Sequence, residues 1–259
     1  MRILYLATAR IPGERAGALQ IAQTCSALAA AGAEVHLLTR GVDRKDDLFA
    51  FYGLKTRFQV HRLPVLESPA RLFSLSYRLS LLWALMRLRV SLGKLGILYT
   101  REPGILVMLA PLHGLFGARL FLEIRELTGD ELKPGTPTFR RLARAFASAE
   151  GISVGTERLR REMTGLYALS EGKVAAIPNG CDVTAPEAMP SDPGAVLDIV
   201  YTGQMYDWKG ADLLVEAFSL LDPALPLRLR MVGGFPEDLD RLRSLAGTLG
   251  ISGRVEFTG

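Results

Sequence analysis

Short apolar runs alternate with longer amphipathic segments along most of the chain. The first apolar run, at residues 2–7, predicts a strand. The next segment, at about 17–31, predicts a helix, because its apolar positions recur at helical spacing and Gly32 follows as a stop signal. Further strands are predicted at 34–39, 58–63, 96–100, 119–124, 152–154 and 173–177, and further helices at about 70–92, 104–115, 137–149 and 156–168. Such an alternation indicates an α/β chain with parallel strands.

The alternation stops at residues 178–196, where four prolines and two glycines fall in a stretch without a helical or alternating pattern. This composition is typical of a linker. Beyond it the alternation restarts as three strands and two helices, which is half of a doubly wound domain. The sequence therefore predicts two Rossmann-like doubly wound domains, at 1–177 and 197–259, joined by a hinge at 178–196, with the second domain incomplete.

Composition supports a folded chain and limits its expected partners and cellular location. Of the 259 residues, 49% are hydrophobic and 22% are charged, which supplies a core and excludes wholesale disorder. The net charge of +4 permits an anionic partner without requiring one, and we expect no nucleic-acid partner. Cys25 and Cys181 do not form a disulfide framework, and no stretch has the roughly 20 apolar residues of a membrane span. We expect a cytoplasmic protein, at most peripheral on the inner face of a membrane.

The turn after the first strand is the first of three segments that can bind an anion. It contains Gly13 and Gly17 and leads into a helix whose first N–H groups can meet a phosphate or carboxylate. It lacks the GxGxxG pattern, and Thr39 and Arg40 end the second strand where a dinucleotide-binding domain has an acidic residue. These departures disfavour an epimerase or another nicotinamide-dependent oxidoreductase. An ordinary strand-to-helix turn remains the alternative.

The second segment, TGQMYDWKGADLL at 202–214, follows the first strand beyond the linker. The strand is predicted to end at Gly203, and Lys209 with Gly210 is predicted to open a helix. A lysine at the positive end of a helix adds a mobile cation suited to a diphosphate. A solvated surface lysine is the alternative.

The third segment, AIPNGCD at 176–182, is by itself only a tight turn. Together with GQMYDWKG at 203–210, however, it resembles glycosyltransferase family 4, whose members often have PNGVD at the hinge and G-R-x(4)-K-G in the donor domain. RILYLATARIPGERAGALQ at 2–20 and FLEIRELTGD at 121–130 resemble the acceptor-side half of that family. The resemblance covers nearly the whole chain. It implies the GT-B architecture and transfer of a sugar from a nucleoside diphosphate sugar with retention of configuration, without a metal or another cofactor.

The resemblance also implies roles on the donor side. Lys209 would contact the donor diphosphate, in a loop bounded by Gly203 and Gly210. Gln204 stands where many family members carry an arginine, so one positive charge on the phosphates is missing. A glutamine can still donate a hydrogen bond, but a neutral bond is roughly half as strong as a charge-assisted one.

On the acceptor side, Gly17 would approach the donor sugar-phosphate across the cleft. Arg125 falls where many relatives have a histidine that faces the sugar and the acceptor. Because a guanidinium stays protonated, Arg125 can bind an anion but cannot act as a base. Asn179, Gly180 and Asp182 would form the hinge.

No catalytic residue is assigned. The family's E-x(7)-E motif comes after the strand VEFTG at 255–259, so the resemblance implies that the chain ends inside the donor domain and is inactive by itself. Glu237 and Asp238 are expected to cap a helix at its N-terminus. The alternative function is a non-catalytic fragment or binding module that retains only acceptor or partner binding.

The helix predicted at 70–92, with its flank to residue 94, is basic and amphipathic; its cations are Arg71, Arg78, Arg87, Arg89 and Lys94. A helix of this kind can lie on an anionic bilayer, and the resemblance implies a glycan or lipid-linked acceptor. A core-packed helix with an exposed arginine face remains the alternative. The histidines, at positions 36, 61 and 113, show no ligand spacing and are expected to be buried or incidental.

Overall fold

The computed structural model describes residues 1–42, 46–66, 70–180 and 196–258. The chain divides into two compact units, Met1–Cys181 and Asp182–Gly259. Asn179 and Gly180 are exposed and outside any helix or strand. Asp182, together with most of the predicted hinge, lies outside the described residues.

The first unit is built on a sheet of seven parallel strands in the order β3-β2-β1-β4-β5-β6-β7. Their bounds are β1 Arg2–Arg10, β2 Glu34–Arg40, β3 Gln59–Leu63, β4 Gly96–Thr100, β5 Ala118–Ile124, β6 Gly151–Val154 and β7 Val174–Ala176. The chain runs outward from β1 in one direction and outward from β4 in the other. The switch point therefore lies between these two central strands, where open α/β sheets bind ligands at the carboxyl edge.

In the described parts of the connections, six helices link these strands: α1 Ala16–Ala30, α2 Leu48–Phe51, α3 Ala70–Leu92, α4 Pro103–Leu109, α5 Pro137–Ser148 and α6 Glu157–Tyr167. Both faces of the sheet are covered, as the alternation along β1 shows. Leu4 and Leu6 lie in the core shared with α3 to α6, whereas Tyr5 and Ala7 lie in the core on the α1 side. Successive strand residues point to opposite faces, so a continuous apolar run marks a strand that is buried on both sides.

The second unit has a sheet of three parallel strands in the order β10-β9-β8. Its elements are β8 Leu197–Thr202, α7 Ala211–Ser219, β9 Leu227–Val232, α8 Pro236–Thr248 and β10 Val255–Thr258. Leu229 and Met231 of β9 are fully buried in one cluster with both helices. Arg228 and Arg230 alternate with them and form ion pairs with Asp198 on the opposite face. One face of this sheet is therefore apolar and covered, and the other is polar.

The predicted element pattern is confirmed, with local differences. The segment 104–115 is not one helix: α4 ends at Leu109, and a 3-10 turn follows at His113–Phe116. Pro111 has no N–H to continue the helical ladder, which explains the break. The short helix α2 was not predicted, because four residues are too few to show a period. Asp47 starts it by accepting a hydrogen bond from the Ala50 N–H.

The long helix α3 packs only one face on the sheet. Tyr77, Leu81 and Leu85 are buried in the larger core of the first unit, while the residues on the opposite face of the helix are exposed. Within the described residues, no helix is both long enough and apolar enough to cross a bilayer.

Two of the three histidines lie side by side in the structure. His36 on β2 is buried, and its Nδ1 lies 2.9 Å from Nε2 of His61 on the adjacent β3. Its Nε2 lies 3.0 Å from Glu34, which pairs in turn with Arg2. Sequence spacing does not detect this pair, because it depends on which strands are neighbours in the sheet. The expectation of a buried histidine is correct for His36.

Candidate functional site

A cavity of about 410 Å³ opens at the carboxyl edge of the first unit's sheet. Its lining residues are Thr8, Ala9, Arg10, Arg15, Gly17, Ala18, Ile21, Arg40, Arg101, Glu102 and Arg125; we call it the arginine cleft. The structure thus brings the predicted residues Gly17 and Arg125 to one cavity. It lies at the switch point of the sheet, where the fold favours a ligand.

Gly17 is the second residue of α1, and a Cβ added to it would meet no atom within 4 Å. The position therefore leaves open space beside the first turn of the helix. The preceding turn is held in place by Tyr52, whose hydroxyl accepts a hydrogen bond from the Gly13 N–H and donates one to its carbonyl. Arg15 at the N-cap makes no side-chain cap, so the first turn retains donors for a ligand.

Four neighbouring strands deliver the other arginines of the cleft. β1 ends at Arg10 and β2 ends at Arg40, while Arg101 and Arg125 directly follow β4 and β5. These strands are adjacent in the order β2-β1-β4-β5. Of these arginines, only Arg125 was predicted from the sequence as a site residue. The missed signal was an arginine at the end of each of these four strands.

Glu123 organises two of these guanidinium groups. Arg101 is 9% exposed and lies 2.7 Å from the Glu123 carboxylate, which also accepts a hydrogen bond from Tyr99. Burial raises the pKa of Tyr99 to about 12, so this phenol remains a donor. Arg125 is 43% exposed, and its Nε is 3.7 Å from the same carboxylate. Arg101 is therefore fixed in place, whereas Arg125 keeps donors open to the cleft.

Glu102, which was not predicted from the sequence as a site residue, is a carboxylate among the described residues that line the cleft. It accepts hydrogen bonds from the Thr8 N–H at 2.5 Å and the Thr8 hydroxyl at 2.6 Å. Burial raises the pKa of Glu102, and the two bonds from Thr8 act in the opposite direction. Glu102 also lines a second cavity of about 130 Å³ beneath α3, beside Tyr77 and Phe73. It is thus a titratable group at the junction of two cavities.

In the second unit, the backbone ends of β8 and β9 approach each other closely. Gly203 follows β8 with φ +130°, and its N–H donates to Val232 at 2.9 Å. A Cβ on Gly233 would lie 2.7 Å from the Gly203 carbonyl oxygen, and Gly233 has φ +96°. Only glycine fits this contact, because a side chain there would meet backbone. The result is an open carboxyl edge from which the segment 203–210, the Lys209 loop, begins.

Lys209 does not open the helix as expected. It ends a 3-10 turn at Asp207–Lys209, and Gly210, with φ +72°, is the N-cap of α7, which begins at Ala211. The left-handed conformation of Gly210 separates the turn from the helix and redirects the chain. The Lys209 amine lies 3.8 Å from the position of a Cβ on Gly203 and 5.4 Å from the Trp208 ring centroid. The cation therefore lies over the end of β8 rather than on the first turn of α7.

Gln204 is half-buried in this loop, and its Oε1 is buried without a hydrogen-bond partner among the described residues. Arg241 of α8 contacts the backbone of this loop. Its guanidinium pairs with Asp212 and donates to the Met205 carbonyl at 3.3 Å. The hydrogen bond to Asp212 raises the pKa of Arg241 above its ordinary value. Arg241, which sequence reasoning missed, ties the loop to both helices of the unit.

Asp238 behaves as the sequence predicted. Its carboxylate accepts a hydrogen bond from the Phe235 N–H at 3.4 Å, at the N-terminus of α8. An acidic residue in the first turn of a helix also interacts favourably with the helix dipole. Its role is therefore to start the helix.

Comparison with known proteins adds a family match and several similar folds. Residues 16–180 match a family model described as a glycosyl transferase 4-like domain. No curated protein matches the chain.

Among solved structures, HepE from Anabaena in complex with UDP is 16% identical, with a TM-score of 0.70 over 99% of this chain and 68% of that one. Sucrose-phosphate synthase from Thermosynechococcus elongatus is 18% identical, with a TM-score of 0.72 over 99% and 70%. The catalytic domain of starch synthase IV from Arabidopsis thaliana, bound to ADP and acarbose, is 12% identical, with a TM-score of 0.63 over 99% and 73%. The TM-scores show a shared fold at these low identities, and they confirm the predicted GT-B class.

Proposed function

The chain belongs to the family of glycosyl transferase 4-like domains, and on this premise we propose that it transfers a sugar from a nucleoside diphosphate sugar to an acceptor with retention of configuration. The donor diphosphate binds at the Lys209 loop of the second unit. The acceptor, a glycan or lipid-linked molecule, binds on the side of Arg125 in the first unit.

The observation that carries this proposal is the position of the Lys209 amine over the carboxyl end of β8. Parallel sheets bind ligands at this edge, and an ammonium group is a good partner for a phosphate. A Cβ added to Gly203 would meet only the Lys209 amine within 4 Å, at 3.8 Å, so the bare backbone there leaves room for a phosphate to approach closely. The solved structures with this fold include HepE in complex with UDP-glucose, which supports a diphosphate-linked sugar as donor.

Each residue predicted for the donor side has a part in this scheme. Lys209 stabilises the charge that develops on the leaving diphosphate, which lowers the barrier to breaking the sugar–phosphate bond. Gln204 supplies a neutral amide donor beside it. Gly203 and Gly210 shape the loop, and Gly17 lets the donor sugar-phosphate approach α1. We propose that these groups act without a divalent cation, because an amine and helix N-termini carry the stabilising positive charge.

A binding module without turnover is the second candidate. It is favoured by the neutral Gln204, whose Oε1 has no partner among the described residues. Both candidates require ligand binding, so turnover distinguishes them. A nucleotide sugar that binds but is neither transferred nor hydrolysed supports the module.

The test is thermal stabilisation by UDP-glucose and GDP-mannose, compared between wild type and Lys209→Ala. A ligand at 100 times its Kd stabilises the native state by about 2.7 kcal/mol. We expect a rise in Tm for wild type with one of the two ligands, and a smaller rise for Lys209→Ala. Arg243→Ala is the matched control, since Arg243 is 50% exposed and pairs within its own helix with Asp240. If neither ligand raises the Tm, or if both variants behave alike, the proposal fails.

A further inference from the structure

We propose that the arginine cleft binds a phosphate group of the acceptor. The inference rests on the proposed function, since it takes the first unit as the acceptor side. It adds the chemical class of the acceptor: a phosphate ester rather than a neutral glycan.

The cleft brings several like charges together. Among the described residues, those that line it include five arginines and one carboxylate, that of Glu102. Four of these arginines are placed by the ends of adjacent strands, so sheet geometry forces them together. Like charges held at one edge repel each other, and an anionic ligand removes that cost. A phosphate dianion offsets more of this charge than a carboxylate does.

The local pairing leaves positive charge available to a ligand. Glu123 lies against both Arg101 and Arg125, so one carboxylate is shared by two guanidinium groups. The pairing is unequal, because Arg101 is close and nearly buried while Arg125 is distant and 43% exposed. Arg125 can therefore turn a fork of two N–H donors toward a phosphate, the geometry that guanidinium groups share with this anion.

The opposite wall of the cleft is open and electropositive. Gly17 has no Cβ and no atom near the position of one. Arg15, exposed at the N-cap of α1, makes no side-chain cap. The N–H groups of the first turn add the positive end of a 15-residue helix. The acceptor phosphate thus has guanidinium donors from both walls, whereas the backbone donors of the first turn remain available to the donor sugar-phosphate that Gly17 admits.

The test is calorimetric titration of the full chain with glycerol 3-phosphate, a phosphate ester without nucleotide, in wild type, Arg125→Gln and Arg15→Gln. Each substitution is expected to weaken binding about tenfold, the effect of losing one charge-assisted hydrogen bond. The matched control is Arg119→Gln. Arg119 lies at the other end of β5, is 57% exposed and has a carboxylate partner at the same 3.7 Å. We expect it to change the Kd less than twofold.

Two further arms separate this inference from the proposed function. Lys209→Ala is expected to weaken UDP binding and to leave the Kd for glycerol 3-phosphate unchanged. Loss of glycerol 3-phosphate binding in Lys209→Ala would assign the phosphate to the donor site and overturn the inference. Undetectable binding to wild type, or equal effects of Arg125→Gln and Arg119→Gln, would also overturn it. Absence of UDP binding alone counts against the proposed function only.

A second inference comes independently from the outer face of α3. Six large apolar side chains form a continuous exposed stripe at helical spacing: Leu72, Leu75, Leu79, Trp83, Met86 and Val90. Exposed apolar stripes of this size mark interaction surfaces. We infer that this stripe docks on an anionic lipid bilayer.

Charge selects the bilayer over a second copy of the chain. The helix contains no acidic residue, and Arg78 and Arg87 are exposed beside the stripe. Arg87 lies 5.6 Å from the centroid of the Trp83 ring. Two copies packed through the same stripe would bring these arginines against each other, whereas anionic headgroups complement them.

The test uses Trp83 as its own reporter in a Trp208→Phe background, with vesicles of 30% phosphatidylglycerol in phosphatidylcholine. We expect a blue shift of Trp83 emission and co-sedimentation with these vesicles, and at least tenfold weaker binding to pure phosphatidylcholine. Leu79→Glu with Met86→Glu is expected to abolish the shift. Leu220→Glu, at an 86% exposed leucine of the second unit, is the control.

Absence of a shift with anionic vesicles would overturn the membrane assignment. Sedimentation of the wild type as a dimer that Leu79→Glu dissociates would assign the stripe to a second copy instead.

Discussion

At the residue scale, Glu123 sets the charge balance of the arginine cleft. Its carboxylate contacts the nearly buried Arg101 at 2.7 Å, accepts a bond from Tyr99 and lies near Arg125. A buried guanidinium without a carboxylate partner destabilises the fold, because its charge has lost its hydration and gains no ion pair in return. Glu123 therefore serves the fold as well as the cleft.

Glu123→Gln is expected to lower the free energy of unfolding by about 2 kcal/mol, since it leaves a nearly buried charge with only a neutral partner. Urea denaturation at neutral pH measures the change. Glu150→Gln is the control, because the Glu150–Arg119 pair is exposed and separated by 3.7 Å; its effect should stay below about 0.5 kcal/mol. Equal effects of the two substitutions would show that the Arg101 pair does not stabilise the fold.

At the element scale, the close approach of the ends of β8 and β9 depends on glycine, and so does the shape of the Lys209 loop. Gly233 has φ +96°, and a Cβ added to it would lie 2.7 Å from the Gly203 carbonyl oxygen. Gly247, by contrast, lies inside α8 without a positive φ, and a Cβ there would meet its nearest atom at 3.8 Å. The same substitution should therefore have opposite effects at the two positions.

Gly233→Ala is expected to destabilise the protein by more than about 1 kcal/mol. The added methyl group must push the two strand ends apart, and the alanine must adopt a left-handed backbone conformation. Gly247→Ala should stabilise α8 by about 0.5–1 kcal/mol, since alanine favours helix. Circular dichroism followed through thermal unfolding measures both. A neutral Gly233→Ala would contradict the close approach of β8 and β9.

The histidine pair between β2 and β3 predicts a dependence of stability on pH. Burial lowers the pKa of His61, and nearby His36 and Arg87 lower it further. The unfolded chain then binds a proton at a higher pH than the folded chain does, so stability falls as the pH falls through the ordinary histidine pKa of about 6.5. His61→Gln should lose less stability than wild type between about pH 7 and pH 5. An unchanged pH dependence in urea denaturation would exclude His61 as its source.

These elements show what a single sequence can predict. The period of apolar residues located α3 at 70–92, because 23 residues of helix give many repeats. It did not locate α2, which is one turn long. The arginine cleft and the His36–His61 pair were missed for another reason: both depend on the order of strands in the sheet. Periodicity assigns each strand but not its neighbours.

At the scale of the whole molecule, two α/β units of unequal size carry complementary chemistry. The first has seven strands and a cleft lined by arginines, and the second has three strands and the Lys209 loop. In both units the candidate groups lie at carboxyl ends of parallel strands, as the fold requires. The motif GQMYDWKG identified the loop from sequence, but its geometry was not predictable, because the φ of +72° at Gly210 places Lys209 before the helix rather than on it.

The central claim, that a nucleoside diphosphate sugar binds at the Lys209 loop, is tested most directly by amide hydrogen exchange with and without UDP. Bound phosphates occupy backbone N–H groups and slow their exchange. We expect UDP to protect amides at 203–211, and to protect them less in Lys209→Ala. Unchanged exchange at 203–211 while UDP is bound would contradict the account.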